Sequence, residues 1–242
     1  MDVNATPQSP TAENAADSYR IEGLGEQFEE IFQRRDHLLV PLSPFNGYYS
    51  PARIDSIIKW ASSKFSSFDV VTPGDEAALT LIALGEPAGH AYSLTYAAIR
   101  KLTRRAREAL QKAGAGDNAQ VHTWTQLREN PRYKELREDL LARYRGDRSF
   151  REFCHDASRE VLSANLKPGV EPTTIQLELC SEYVLAELPF LLDTPQILGI
   201  RSSIASYHRH CALYSGTYSG TLPVQPSRHQ AGAIISPSPS LE

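Results

Sequence analysis

HLLVPLSPFNGYYSPARIDSIIKWASSK, residues 37–64, reads as a strand, a sharp loop and a helix in unbroken succession. His37 to Leu42 is a short apolar run with strand character. Asn46-Gly47 is a turn signal, and Ser50 followed by Pro51 is a helix N-cap with proline at the first helical position. Ile54, Ile57, Ile58 and Ala61 then fall at helical spacing, so the helix is predicted to reach about Lys64. In a parallel α/β sheet the loops at the carboxyl ends of strands are where ligands bind. That rule directs attention to the loop that carries Ser43 and Asn46.

The same alternation continues outward. FDVVT (Phe68 to Thr72) and AQVHTW (Ala119 to Trp124) read as further strands, and SSIASYHRHC (Ser202 to Cys211) as a last one. Helices are predicted from Pro73-Gly74-Asp75-Glu76 through Ala83, from Gly89 to Ala113, over Arg132–Tyr144 and Phe150–Leu162, and from Pro172 to Leu192, with Pro195 starting a short connection. Strands alternating with helices imply an α/β fold with a mainly parallel sheet flanked by helices. Residues 1–18 are polar, without apolar period, and are expected to be disordered. From Ser215 the Ser, Gly and Pro content rises, so 215–242 is expected to be a disordered tail. One domain is thus expected over residues 19–214.

The stretch SEYVLAELPFLL, Ser181 to Leu192, sets the chemistry. Tyr183 and Glu187 lie one helical turn apart on one face. Val184, Leu185, Leu188, Phe190, Leu191 and Leu192 make the helix apolar around most of its circumference. A carboxylate buried there needs a partner, because an unpaired charge is costly to desolvate. Either a structural cation sits nearby or Glu187 awaits a cationic ligand.

Composition narrows the classes. The 242 residues are 41% hydrophobic, which suits a globular chain with a sizeable core. No apolar run of about 18 residues occurs, so no membrane span is expected. The N-terminus lacks the basic and apolar regions of a signal peptide, and a cytoplasmic location is expected. Cys154, Cys180 and Cys211 read as small reduced core residues. With a net charge of −4, any nucleic-acid contact must come from a local patch. Helix 89–113 offers one: Arg100, Lys101, Arg104, Arg105, Arg107 and Lys112 cover one face, with Glu108 the only acid among them. That face is either a charged surface or a contact to a phosphate backbone, and without RNA-binding motifs it suits shape recognition of a structured RNA.

Neither a dinucleotide fingerprint GxGxxG nor a phosphate loop GxxxxGK[ST] is present, so no nucleotide cofactor is expected. His208-Arg209-His210 lacks a third metal ligand, and no metal is expected. Without a GxSxG elbow, a nucleophilic Ser43 needs a substrate that arrives already activated.

Three separated motifs, LSPFNGYYS, YVLAELPFLLDTP and SYH, in this order around a basic helix, resemble the cyclodipeptide synthases. The resemblance runs from about His37 to Cys211. It implies a Rossmann-like fold similar to the catalytic domain of class I aminoacyl-tRNA synthetases, without ATP chemistry. It implies a tRNA-dependent enzyme that takes two aminoacyl-tRNAs and releases a cyclic dipeptide through an aminoacyl-serine intermediate. By this resemblance Ser43 is the nucleophile, and Tyr183 and Glu187 hold the substrate α-amino group. Tyr207 lies near the ester, and Asn46 is the polar residue of the serine loop, with His208 as its partner on the neighbouring strand. Arg100, Lys101, Arg104, Arg105 and Arg107 fall where the family binds tRNA. The first aminoacyl pocket would be lined by Leu39, Pro41, Val71, Trp124, Phe190 and Ala205. Pro41 and Trp124 narrow it, so a small or polar first residue, or a flat one such as histidine, is expected. A monomer is expected, with no cofactor. An aminoacyl-tRNA deacylase and a non-catalytic tRNA-binding module of the same fold remain open alternatives at this point.

Overall fold

The computed structural model describes residues 18–238, in which six strands form one sheet. They are β1 (Tyr19–Leu24), β2 (His37–Pro41), β3 (Ser67–Thr72), β4 (Ala119–Thr123), β5 (Ser203–Tyr207) and β6 (Gln230–Pro237). Their order is β1-β6-β5-β2-β3-β4. The five strands from β6 to β4 run parallel, and β1 adds antiparallel to β6. The helices are α1 (Phe28–Arg34), α2 (Pro51–Lys64), α3 (Glu76–Ala83), α4 (Ala88–Ala113), α5 (Trp124–Leu127), α6 (Pro131–Gly146), α7 (Arg148–Ser163), α8 (Thr174–Leu198) and α9 (Ala212–Tyr218). The α/β class with a mainly parallel sheet is therefore the architecture.

Alternation along the strands sends side chains to both faces. Leu38, Val40, Phe68, Val70 and Ile204 join residues of α1, α2 and α4, among them Ile31, Ile57 and Leu102, in one core. Leu39 and Val71 face the other way, onto Trp124, Tyr133, Ala186 and Phe190, while Ala205 meets Leu188 of α8. The sheet is covered on both sides. Successive strands β2, β3 and β4 step outward in one direction, whereas β5 and β6 lie on the opposite side of β2. The loops leaving β2 and β5 consequently diverge, which opens a crevice at the carboxyl ends of these two strands.

Local chemistry sets the element ends as the sequence leads one to expect at α2. Ser50 accepts a hydrogen bond from the Arg53 amide at 3.2 Å, and Pro51 occupies the first turn. The central helix departs from expectation. α8 runs on to Leu198 rather than ending at Leu192. Asp193 leaves the helical region (φ −158°, ψ 50°), which makes room for Pro195 in a second helical segment instead of a connection. The kink is held by side chains: Arg132 grips the Asp193 carboxylate at 2.8 Å, and the Thr194 amide donates to Gln230 at 3.0 Å.

Two expectations need correction. The chain from 215 onward is folded as far as residue 238: α9 continues to Tyr218, and β6 pairs with both β5 and β1. The folded part of the chain therefore extends well beyond residue 214. The strand expected over Ser202–Cys211 ends at Tyr207 and is followed by β6. The expectation for residues 1–17 and 239–242 lies outside the described residues. No helix among the described residues is long and apolar enough to cross a membrane.

Candidate active site

Ser43 follows β2, Tyr207 closes β5, and Tyr183 and Glu187 project from α8 between them. Together they border a cavity of about 370 Å³. All six residues expected in the catalytic centre line it: Ser43, Asn46, Tyr183, Glu187, Tyr207 and His208. The opposite wall comes from α3 (Ala77, Thr80, Leu81) and α7 (Ala157, Glu160, Val161). No sequence pattern marked these latter residues, because a helix contributes to a distant wall only through tertiary packing.

The loop after β2 is held by its own side chains. Asn46 Oδ1 accepts from the Tyr48 amide at 3.0 Å, and the Tyr49 amide donates to the Asn46 carbonyl at 3.2 Å. His208 meets this loop through aromatic neighbours. Its ring stacks on Tyr48 with centroids 4.1 Å apart, and its Nδ1 lies 3.4 Å from the Tyr49 hydroxyl. The partner of His208 is thus the Tyr48–Tyr49 pair, which corrects the expected pairing with Asn46. The two tyrosines sit in the LSPFNGYYS motif, and adjacent aromatics after an Asn-Gly turn are the signal by which they are found.

Electrostatics sharpen the centre. Glu187 is 8% exposed, and no Lys, Arg or His among the described residues forms an ion pair with it. Burial alone pushes its carboxyl up to about 7. Asp193, buried on the same helix, is by contrast paired with Arg132, an ion-pair partner that Glu187 lacks among the described residues. Of the two possibilities open for Glu187, the structural cation is absent among the described residues. Burial raises the phenols of Tyr49, Tyr183 and Tyr214 well above their ordinary range and that of Tyr207 to about 12, with the Glu187 charge adding to each. The Ser43 side chain opposes the rise at both Tyr183 and Tyr207, and all three residues line the same cavity. Burial and the neighbouring Arg209 lower His208 to about 4, which leaves its imidazole neutral at pH 7.

The six residues expected to line a first side-chain pocket do not line this cavity. Leu39, Val71, Trp124 and Phe190 are packed into one apolar cluster behind Tyr183, and Ala205 is fully buried in an adjoining one. The Trp124 indole lies 4.9 Å from the Tyr183 ring and 6.0 Å from Phe190. Pro41 borders a small separate recess beside Tyr48 and Tyr49.

On α4, Arg100, Lys101, Arg104 and Arg107 are exposed, and Arg105 is half-buried. Arg104 is paired with Glu108 at 2.9 Å, and Lys112 with Asp55 at 2.8 Å. The basic face expected from the sequence is therefore present, with two of its cations already engaged.

Comparison with known proteins agrees with this geometry. The family model described as cyclodipeptide synthase matches residues 19–237. The chain is 38% identical over 193 residues to a cyclo(L-leucyl-L-leucyl) synthase of Bacillus subtilis, covering 78% of this chain and 77% of that one. A crystal structure of a cyclodipeptide synthase from Bacillus thermoamylovorans superposes with a TM-score of 0.88 at 30% identity, over 93% of this chain and 99% of the other. A Mycobacterium tuberculosis structure, which demonstrates that cyclodipeptide synthetases are related to type I tRNA synthetases, matches with a TM-score of 0.83 at 30% identity over 92% and 95%. With its six-stranded sheet, its crevice at the β2–β5 switch and these matches along nearly its whole described length, the chain belongs to the cyclodipeptide synthase family.

Proposed function

We propose that this enzyme joins two aminoacyl groups, each delivered as an aminoacyl-tRNA, into a 2,5-diketopiperazine by way of an aminoacyl-Ser43 ester. The observation that carries the reading is Glu187, a buried carboxylate with no cation paired to it among the described residues, on the wall of the cavity that Ser43 also lines. A substrate α-ammonium supplies the missing charge, and a charge-assisted hydrogen bond to it is among the stronger polar contacts available.

The chemistry then follows from the residues present. Ser43 Oγ attacks the ester carbonyl of the first aminoacyl-tRNA, and the terminal ribose oxygen leaves with the proton. Because that ester is already activated, no ATP is needed to form the acyl-enzyme. The Tyr183 phenol, kept protonated by its raised pKa, is suited to donate a hydrogen bond to Ser43 or to the acyl oxygen, and Tyr207 equally so. Two amide bonds close the product. The α-amine held at Ser43 attacks the ester of the second aminoacyl-tRNA and releases its tRNA; the second α-amine attacks the Ser43 ester and frees the serine. Each amine must shed a proton, and a carboxyl poised at about 7 is suited to accept it. This is a ping-pong sequence in which water is a competitor at the Ser43 ester.

Arg100, Lys101, Arg104, Arg105 and Arg107 are assigned to the tRNA phosphates, and a cytoplasmic location fits the need for charged tRNA. The first side chain is taken to be small or polar. Supporting this, Trp124 packs against Tyr183 in one apolar cluster with Leu39, Val71 and Phe190. The test is mass spectrometry of culture medium from bacteria expressing the chain beside a Ser43→Ala control. A diketopiperazine mass present with the wild type and absent with the variant is expected. Its absence from both, with soluble protein and charged tRNA available, would overturn the reading.

A further inference from the structure

Phe45 stands two residues beyond Ser43 in a backbone conformation that its side chain disfavours. Its φ of 63° lies in the left-handed region, where a bulky residue is a genuine outlier. Only one other non-glycine residue among the described residues, Arg35 at a helix end, shares that feature. A glycine or asparagine is the ordinary occupant of such a position, because glycine has no Cβ to clash and the short polar side chain of asparagine offsets the clash with local hydrogen bonds. Strain of this kind persists where the surroundings hold it, and it concentrates at functional sites. Here the loop around it is tied by the Asn46 contacts to Tyr48 and Tyr49.

The strained conformation also leaves the ring in the open. Phe45 lines the cavity and yet is 56% exposed, so it stands at the rim rather than on the floor. Glu187 and Tyr183, which line the same cavity, are buried or nearly so. A solvent-facing phenylalanine with no ring partner among the described residues, at the mouth of a catalytic cavity, has an apolar face to offer a ligand. Chemistry limits what that ligand is. If Ser43 attacks an aminoacyl ester, the leaving oxygen belongs to the terminal ribose of the tRNA, and that nucleoside must remain at the open side of the cavity. The terminal base is attached to the same ribose, within reach of a side chain two residues from the nucleophile.

We propose that Phe45 is a positioning residue that stacks on the terminal nucleobase of the aminoacyl-tRNA and thereby sets the ester carbonyl against Ser43. The inference rests on the transferase reading above and adds a subsite to it. Stacking on an aromatic ring is tolerant of base identity, since every base has a π-face. The geometry therefore suits an enzyme that must accept two different charged tRNAs sharing the same end.

The test crosses a change in the protein with a change in the substrate. Ser43 acylation is measured with an RNA minihelix aminoacylated at its 3′ end and with the same minihelix whose terminal nucleotide is abasic. Phe45→Gly suits a positive φ, so the loop keeps its course, and Phe45→Trp restores an aromatic face. In the wild type, removal of the base is expected to lower kcat/KM about tenfold, the size of one modest stack. In Phe45→Gly base removal is expected to make little further difference, and in Phe45→Trp the penalty is expected to return. A base-removal penalty equal in the wild type and Phe45→Gly would overturn the stacking proposal while leaving the transferase reading intact. Wild-type enzyme that is acylated by neither minihelix at saturating concentration would overturn the transferase reading, and the stacking proposal with it.

Discussion

Replacing Glu187 with glutamine should remove the activity and also the loss of stability that the wild type suffers as pH rises. The carboxyl rises from 4.5 to about 7 because burial disfavours its charged form. Between those values the folded state keeps a proton that the unfolded chain has released. Stability from this group is therefore complete below pH 4.5 and is lost as pH rises through about 7. At about 1.36 kcal/mol per pKa unit, the rise corresponds to about 3 kcal/mol between the two ends of the window. The amide of the Glu187→Gln variant has no such titration. The difference in unfolding free energy, variant minus wild type, should therefore grow by about 3 kcal/mol from about pH 4.5 to about pH 8.5. Any fixed cost of burying the amide drops out, because only the pH dependence of the difference is read. Urea unfolding followed by tryptophan fluorescence suits the measurement, since Trp60 and Trp124 are both buried. Activity lost in the same variant would show a site that sacrifices stability for a poised carboxyl. A difference that stays constant across this range would refute the reasoning, because Glu187 would then titrate as an ordinary carboxylate.

Three further outcomes are expected. Changing Arg100, Lys101 and Arg107 together to alanine should raise KM for charged tRNA about tenfold or more and flatten its dependence on salt, each lost phosphate contact removing about 0.7–0.9 from the log–log slope; an unchanged KM would contradict the assignment of α4. Trp124→Ala should cost about 3–5 kcal/mol in chemical unfolding. By opening the space behind Tyr183 it should also admit larger first residues, read as new diketopiperazine masses. Arg132→Ala strands the buried Asp193 carboxylate and should cost about 2–3 kcal/mol, less than a fully buried pair because the arginine is partly exposed, with Asp193→Asn in the same chain recovering part of the loss.

How much of this was legible in the chain depended on which residues carried the signal. β2, its loop and α2 were readable because Ser50-Pro51, Asn46-Gly47 and the Ile54–Ala61 spacing all act locally. β1 and β6 were not. β6 reads QAGAIISP, and its small residues are dictated by packing: a Cβ at Gly232 would meet the Tyr218 ring at 2.2 Å. The partner strand has the same constraint at Gly23, where the Phe28 ring leaves no room. Strand propensity is weak in such residues, so the tail looked structureless until the ring from α9 was in place. In the candidate site, Ser43 and the five polar and aromatic residues Asn46, Tyr183, Glu187, Tyr207 and His208 were picked out by their motifs, and the structure gathers them into one cavity. The wall from α3 and α7 was not legible, since nothing local in Thr80 or Val161 says which helix they will face. The expected side-chain pocket was less legible for a related reason. Residue types named its lining, but whether Trp124 leaves a hole or fills it is decided by its rotamer between Tyr183 and Phe190.

Ser43 is proposed to carry the first aminoacyl group. Intact-protein and peptide mass spectrometry of the enzyme, quenched with acid soon after mixing with one charged tRNA, tests it most directly. One aminoacyl increment is expected, localised to the peptide containing Ser43, absent from Ser43→Ala, and discharged on adding a second charged tRNA as the cyclic dipeptide appears. Cyclic dipeptide formed at an undiminished rate by Ser43→Ala, or an increment carried on another residue, would contradict it.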